Sequence, residues 1–292
     1  MSRSFLFVPA DSEKKLAKAR DSGADALILD IEDSVQNESK ANARQLARDF
    51  LADTGGANLW VRINALDTKD ALDDLRQIMP AGPFGIVLPK SEGARDVNQL
   101  SMLIDVLEQE SDLAVGQTSI LPIVTERPAA LFRLHEYAET TSRLYGLTWG
   151  AEDLSSVVGA TSNRDDAGRW LPPYEMARSL TLFAAASARV RAVDTIFTDF
   201  HNLEGLAHYA ANARRDGFTG MLAIHPDQVD VINEAFMPSA NEIEKAQKIA
   251  DLFKANSESG VLGMDGEMID RPHWLQAQRI LELARRSDGK KK

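Results

Sequence analysis

The chain has 292 residues, 44% hydrophobic and 26% charged, a globular composition long enough for one large α/β domain with an appendage, or for two domains. A formal net charge of −11 argues against nucleic acid as a partner, because phosphate backbones are held by basic surfaces. The absence of cysteine removes disulfides, thiolate metal sites and cysteine nucleophiles together, and the first apolar run is too short for a signal peptide or membrane span, so a cytoplasmic protein without a membrane partner is expected.

In chain order, short apolar runs alternate with amphipathic stretches. SFLFVP (4–9) reads as a strand before the helical EKKLAKAR, and ALILDI (26–31) as a strand before SKANARQLARDFLA. NLWVRI (58–63) precedes DALDDLRQIM, GIVLP (85–89) precedes ARDVNQLSMLIDVLEQ, and SILPIV (119–124) precedes RPAALFRLHEYAET. RLYGLTWG (143–150), VDTIFT (193–198) and GMLAIHP (220–226) lead into EMARSLTLFAAASAR, LEGLAHYAANARRD and DQVDVINEAF. Near-continuous apolar strands followed by helices predict a parallel sheet covered by helices. Eight such repeats fit a (β/α)8 TIM barrel better than an open doubly wound sheet.

The expected architecture is a catalytic barrel over residues 1–238 and a C-terminal helical extension over 239–292. Within the extension, SESGVLGMDGEMID (257–270) is Gly-rich and reads as irregular, part of a lid segment 257–273. RPHWLQAQRILELARR closes as a helix, and SDGKKK is expected to fray.

A (β/α)8 barrel places its site at the C-terminal ends of its strands. Those ends carry Asp30, Glu32 and Asp33 after strand 2, Arg62 and Asn64 on strand 3, and Lys90 after strand 4. Glu126 follows strand 5, Glu152 and Asp153 follow strand 6, and His225 follows strand 8. Read blandly, these are strand-end charges solvated by water and paired with Arg or Lys. Their convergence from several strands favours a site, since isolated surface pairs explain no convergence. A ring of carboxylates with few histidines suits a hard, oxygen-loving cation such as Mg2+. In GAEDLSS (150–156), a Gly and Ala151 before two acids leave backbone N–H groups open to an anion while Asp153 reaches a metal. HEYAE (135–139) lacks the second histidine of a zinc-protease helix, and no dinucleotide-binding, P-loop or nucleophile-elbow motif is present.

These residues, in this order, resemble the citrate lyase β-subunit-like branch of the HpcH/HpaI aldolase superfamily. The resemblance runs through RSFLFVPADS, ADALILDIEDSVQNESKANAR, WVRIN, VLPK, TE, GAED, GFTGMLAIHPDQVDVINEAFMPS and DGEMIDRPHWLQA, nearly the whole chain. It implies a TIM barrel, Mg2+ as cofactor, assembly as a homotrimer or dimer of trimers, and cleavage or formation of acyl-CoA thioesters such as malyl-, citramalyl- or citryl-CoA. Carried over residue by residue, the metal ligands fall on Glu126 and Asp153, with Ala151 and Glu152 beside the substrate. The arginine that grips the 2-oxo acid falls on Arg62, and Glu32, Asp33 and Lys90 support it. The catalytic acid of the lid falls on Asp270, and Pro9, Lys14, His225 and Pro226 match regions that contact CoA. The chain departs from the family pattern at Ala10, at Met221 and Leu222, and at Asn202.

The implied reaction is a retro-Claisen or aldol-type cleavage of a 3-hydroxyacyl-CoA to acetyl-CoA, or a homologue, and a 2-oxo acid. Asp270 would protonate the enolate, or remove that proton in the condensation direction. Competing readings are a helix N-cap for Asp270, a buried ion pair with Glu32 or Asp33 for Arg62, and a carboxylate partner for Lys90. At the level of function, the alternatives are a citrate lyase β subunit acting on an acyl-carrier-protein thioester and a CoA-independent 2-oxo-acid aldolase.

Overall fold

Strand β2 (Ala26–Asp30) is buried at all five positions, as required of a strand covered on both faces. With β1 (Ser4–Pro9), β3 (Leu59–Arg62), β4 (Gly85–Leu88), β5 (Ser119–Pro122), β6 (Gly146–Thr148), β7 (Arg191–Asp194) and β8 (Gly220–Ala223), it forms one sheet of eight strands in the order β5-β4-β3-β2-β1-β8-β7-β6. Every neighbouring pair is parallel. The two ends meet: Ile120 bridges Leu144 and Ile123 bridges Thr148, both parallel, so the sheet closes into the expected (β/α)8 barrel. The computed structural model describes residues 2–56, 58–256 and 260–288, which fall into two compact units, one ending at Asn233 and the other beginning at Glu234.

The barrel interior follows the two-residue period of its strands. Phe5, Ile28, Trp60, Val87, Leu121, Val193 and Leu222 fill its lower part as one apolar cluster. Gly85 has no side chain because Trp60 occupies its space: a Cβ there would lie 2.3 Å from the indole ring. Two residues beyond Ile28 and Trp60 come Asp30 and Arg62, opposite each other in the parallel register. The same face that packs the core therefore turns charged as it reaches the mouth. Helices α1 (Glu13–Arg20), α2 (Lys40–Thr54), α3 (Asp70–Ile78), α4 (Ala94–Glu110), α5 (Ala151–Val158), α6 (Pro172–Ser187), α7 (Leu203–Asp216) and α8 (Gln228–Ala235) follow the strands.

In the second unit, α9 (Ala240–Ala255) starts in a capping box between Ser239 and Glu242. A hairpin of β9 (Val261–Met264) and β10 (Glu267–Asp270) leads into α10 (Arg271–Asp288). Ala246, Ile249, Ile269 and Ala277 form its core, with Phe253, Trp274 and Leu281 packed against them.

Several expected elements differ. The segment read as irregular, 257–270, contains the hairpin over its described part, and residues 257–259 lie outside the described residues. Asp265 and Gly266 both take positive φ, the two-residue turn that an Asp-Gly pair favours, so the signal was present in the sequence. RPAALFRLHEYAET forms two 3-10 helices, Pro128–Phe132 and Leu134–Glu139, rather than one α-helix. Strand 7 is placed at Arg191–Asp194, earlier than the apolar run suggested, and α5 (Ala151–Val158) is an extra helix on the GAED segment. Of the expected frayed tail, Ser287 and Asp288 belong to α10 and the remaining residues are not described. Among the described residues, no helix is long and apolar enough to cross a membrane.

Gly85→Ala should overpack the barrel floor against Trp60 and cost about 1–3 kcal/mol. Denaturant unfolding should show a lower midpoint with an unchanged slope; an unaltered midpoint would mean that the floor has slack the structure does not show.

Candidate active site

Asp30 ends β2 fully buried, and its carboxylate is shared three ways. Arg62 donates Nε–H to Oδ1 at 2.8 Å and Nη2–H to Oδ2 at 2.6 Å, a bidentate fork. The backbone N–H groups of Glu32 and Ser34 donate to the same carboxylate at 3.0 and 3.3 Å, which folds the chain after β2 back over the barrel mouth. Burial by itself would push the Asp30 carboxyl up, but Arg62 outweighs it and holds the group below the usual carboxylate range. Burial likewise works against the Arg62 cation, and the Asp30 carboxylate overcomes it, so Arg62 stays charged. Its guanidinium also lies 4.7 Å over the Phe7 ring.

The folded-back segment delivers Glu32, which is buried. Its Oε2 lies 3.3 Å from Arg62 Nη1 without forming a hydrogen bond, and its Oε1 accepts from the Lys90 ammonium. Burial raises the Glu32 carboxyl above its ordinary value, opposed by Arg62 and Lys90. Lys90 also donates to Asp33 at 3.0 Å. The ion-pair reading of Lys90 therefore holds, whereas Arg62 takes Asp30 rather than Asp33 as its main partner. Lys90 adopts φ 55°, a left-handed conformation that costs a non-glycine residue energy. That turn aims its backbone N–H at Glu126 Oε2, to which it donates.

Glu126 follows β5 and is 2% exposed. Its carboxyl is pushed up to about 8, first by burial and then by the neighbouring Asp153 carboxylate. Asp153 stands half-buried in the first turn of α5, whose segment is held by reciprocal hydrogen bonds of 3.1 Å between Thr125 Oγ1 and the Gly150 backbone. Gly150 is required by Glu126: a Cβ there would lie 2.9 Å from Glu126 Cγ. The sequence suggested an anion role for this glycine, but the structure gives it the task of admitting the carboxylate. Ala151 is buried beside it, and Glu152 is exposed and accepts from Asn163 Nδ2 at 2.9 Å.

Buried Glu126, whose proton affinity the Asp153 charge raises, and half-buried Asp153 form a donor set for a hard cation. Among the described residues, no group of three or more His, Asp or Glu side chains is arranged to hold a metal. The Glu126–Asp153 pair fits Mg2+, which takes one or two protein carboxylates and leaves its other positions to water and substrate. Glu126 and Asp153 are the residues that could hold it.

The other expected residues stand on further elements of the chain. Pro9 ends β1 opposite Asp30 in register, and Lys14 is exposed on α1. His225, half-buried after β8, stacks on Phe200 at 5.1 Å, and Pro226 follows it. Asn64 belongs to the structure rather than the site, since its amide and backbone N–H both donate to the buried Asp74. Asn202 caps α7, accepting from the Gly205 N–H at 2.8 Å. In the second unit, Asp270 ends β10 with its Oδ1 2.5 Å from His273 Nδ1. Asp30 is the site residue that strand-end reading named but assigned no task; its position opposite Arg62, visible only with the strands in register, supplies it.

Asp30→Asn should remove the main counter-charge of a buried guanidinium and cost about 3 kcal/mol, with Glu32 as the remaining partner. Because the Asp30 carboxyl is held down in the folded state, its contribution is present above the ordinary value of 3.8 and is lost as pH falls through the lowered value. Unfolding measured against pH should therefore show a gap between parent and variant at neutral pH that narrows in acid; an equal gap at all pH values would contradict the pairing.

Comparisons with known proteins identify the family of the chain. A model of the HpcH/HpaI aldolase/citrate lyase family matches residues 3–226. The chain is 34% identical over 288 residues to a citrate lyase subunit beta of Leuconostoc mesenteroides subsp. cremoris, covering 97% of this chain and 93% of that protein. It is 30% identical over 296 residues to the mitochondrial citramalyl-CoA lyase of Mus musculus, covering 97% and 86%. A crystal structure of the protein CitE from Mycobacterium tuberculosis, in complex with magnesium, acetoacetate and coenzyme A, superposes with a TM-score of 0.81 at 31% identity, covering 97% of this chain and 98% of that one. With its closed barrel and a matched segment that includes the paired carboxylates and the clamped arginine, the chain belongs to the HpcH/HpaI aldolase/citrate lyase family and is a carbon–carbon lyase of the citrate lyase β branch.

Proposed function

We propose that the protein cleaves, or forms, a 3-hydroxyacyl-CoA thioester in a Mg2+-dependent reaction, giving acetyl-CoA or a homologue and a 2-oxo acid. The observation that carries this reading is a fixed, charged Arg62 beside the Glu126–Asp153 pair. Mg2+ held by Glu126 and Asp153 would acidify the substrate hydroxyl and stabilise charge on that oxygen. Arg62 keeps Nη1 free of a hydrogen bond to Glu32, and that edge suits the carboxylate of the 2-oxo acid. Asp30 fixes the guanidinium plane, so its orientation is set before substrate arrives. Lys90 neutralises Glu32 and Asp33 and presents its N–H to Glu126, which keeps that carboxylate turned in one direction. Ala151 and Glu152 line the substrate side of α5. Asp270, carried by lid segment 257–273, supplies or removes the proton at the thioester's α-carbon.

Pro9, Lys14, His225 and Pro226 are proposed to contact the CoA portion, with the His225 and Phe200 rings as a stacking surface. A homotrimer or dimer of trimers, in the cytoplasm, completes the proposal. Phe132, Val157, Met176 and Phe183 are all more than half exposed on the first unit, apolar surface that self-association would cover. The similarity to a citrate lyase subunit beta favours one second reading, an acyl-carrier-protein thioester in place of the CoA thioester.

Purified protein with Mg2+ should release a 2-oxo acid from one of malyl-, citramalyl- or citryl-CoA, and EDTA should abolish the release. Asp270→Ala should lower kcat by about 100-fold or more. Silence on all three thioesters, from protein that still binds Mg2+ and a 2-oxo acid, would turn the proposal to the carrier-protein substrate. Full cleavage by Asp270→Ala would remove that residue from the chemistry.

A further inference from the structure

The contact between Asp270 and His273 is more than a helix start. Asp270 Oδ1 lies 2.5 Å from His273 Nδ1, and the Asp270 backbone N–H lies 3.3 Å from the same nitrogen. A ring nitrogen has one position in the ring plane, filled either by a hydrogen or by a lone pair. It can donate to the carboxylate or accept from the backbone N–H, but not both at once. A separation of 2.5 Å suits a hydrogen lying between the oxygen and the nitrogen, whereas two facing lone pairs would repel. When Nε2 carries its own hydrogen, a proton at this contact, on Oδ1 or on Nδ1, is one the pair can give up. When that proton leaves, the Asp270 backbone N–H is in place to occupy the Nδ1 lone pair, so both states of the pair have a hydrogen-bond partner.

Local structure fixes this arrangement. Asp270 ends β10, paired in register with Val261, and its neighbour Ile269 is 1% exposed in the core of the second unit. Pro272, the second residue of α10, sets the first turn and carries His273 back over Asp270. The imidazole is 45% exposed, open to water for replacement of the proton. A backbone-capping aspartate would instead accept from an N–H of the first turn.

We infer that His273 is the positioning residue of the lid acid, holding one proton jointly with Asp270 so that the carboxyl can both deliver and take up that proton. In cleavage, the shared proton leaves the pair, its O–H or N–H bond breaks, and a C–H bond forms at the enolate carbon; water then returns one proton to the pair. In condensation, the α-carbon C–H bond breaks, its electron pair stays on the enolate, and the proton enters the pair and passes to water. The inference rests on the lyase role proposed for Asp270.

The test combines kinetics with nitrogen NMR of selectively labelled histidine in the full-length protein. His273→Ala should lower kcat, and the rate of solvent-deuterium exchange into the acetyl-CoA methyl group, by about 10- to 100-fold, with the KM for the thioester and the affinity for Mg2+ unchanged. His273→Asn, whose amide can replace one hydrogen bond at a time, should recover part of that loss. In the unsubstituted protein the His273 Nδ1 resonance should report a proton shared with a carboxyl, and Asp270→Ala should shift it. A kcat within twofold of the parent in His273→Ala, or an Nδ1 resonance that ignores Asp270→Ala, overturns the inference. The resonance decides the matter even if His273→Ala fails to fold. Full turnover in Asp270→Ala is a separate failure, that of the role given to Asp270 itself.

Discussion

The site depends on one buried ion pair. Asp30 and Arg62 face each other across neighbouring parallel strands, where the period of the barrel interior reaches its first charged layer. An arginine at that depth would be costly without a full counter-charge, and the bidentate fork supplies one together with a fixed plane. The remaining oxygen capacity of Asp30 takes the N–H groups of Glu32 and Ser34, so the same carboxylate shapes the loop that brings Glu32 to the mouth. Lys90 then closes the arrangement between Glu32, Asp33 and Glu126, in a backbone conformation that its own side chain does not favour. The strain is consistent with a position selected for where its N–H points rather than for local stability.

The site thus has two electrostatic halves. On one side, Asp30 gives up part of its proton affinity to a fixed cation. On the other, Glu126 and Asp153 sit close together with too little positive charge between them, and Glu126 holds its proton to about pH 8. In the metal-free protein this raised value lowers stability as pH climbs from the ordinary carboxylate value towards 8, the opposite sign to Asp30. A divalent cation would relieve that imbalance, which is the physical reason the pair suits Mg2+.

Much of this was legible in the chain. The eight strands announced themselves by unbroken apolar runs, and the strand-end acids by their abrupt start after Leu29. The partner of Arg62 was not legible, because Asp30, Glu32 and Asp33 are all near in sequence and only the parallel register selects Asp30. The task of Gly150 was hidden for the same reason, since it exists only through the approach of Glu126 from another strand. The hairpin before α10 is legible in one pair of residues: the glycines around it suggest irregular chain, but Asp265–Gly266 is a turn with strands on either side. The pairing of Asp270 with His273 follows a three-residue helical spacing, readable only once the helix is known to begin at Arg271.

The central claim is that Glu126 and Asp153 form the cation site, and Mg2+ calorimetry in buffers of different ionisation enthalpy tests it most directly. A carboxyl held near 8 must lose its proton before it can bind a metal. At pH 7, binding should release about one proton per Mg2+, the affinity should rise with pH until Glu126 is ionised, and Glu126→Gln should abolish both effects. Tight Mg2+ binding with no proton released at pH 7, or binding undiminished in Glu126→Gln, would contradict the account.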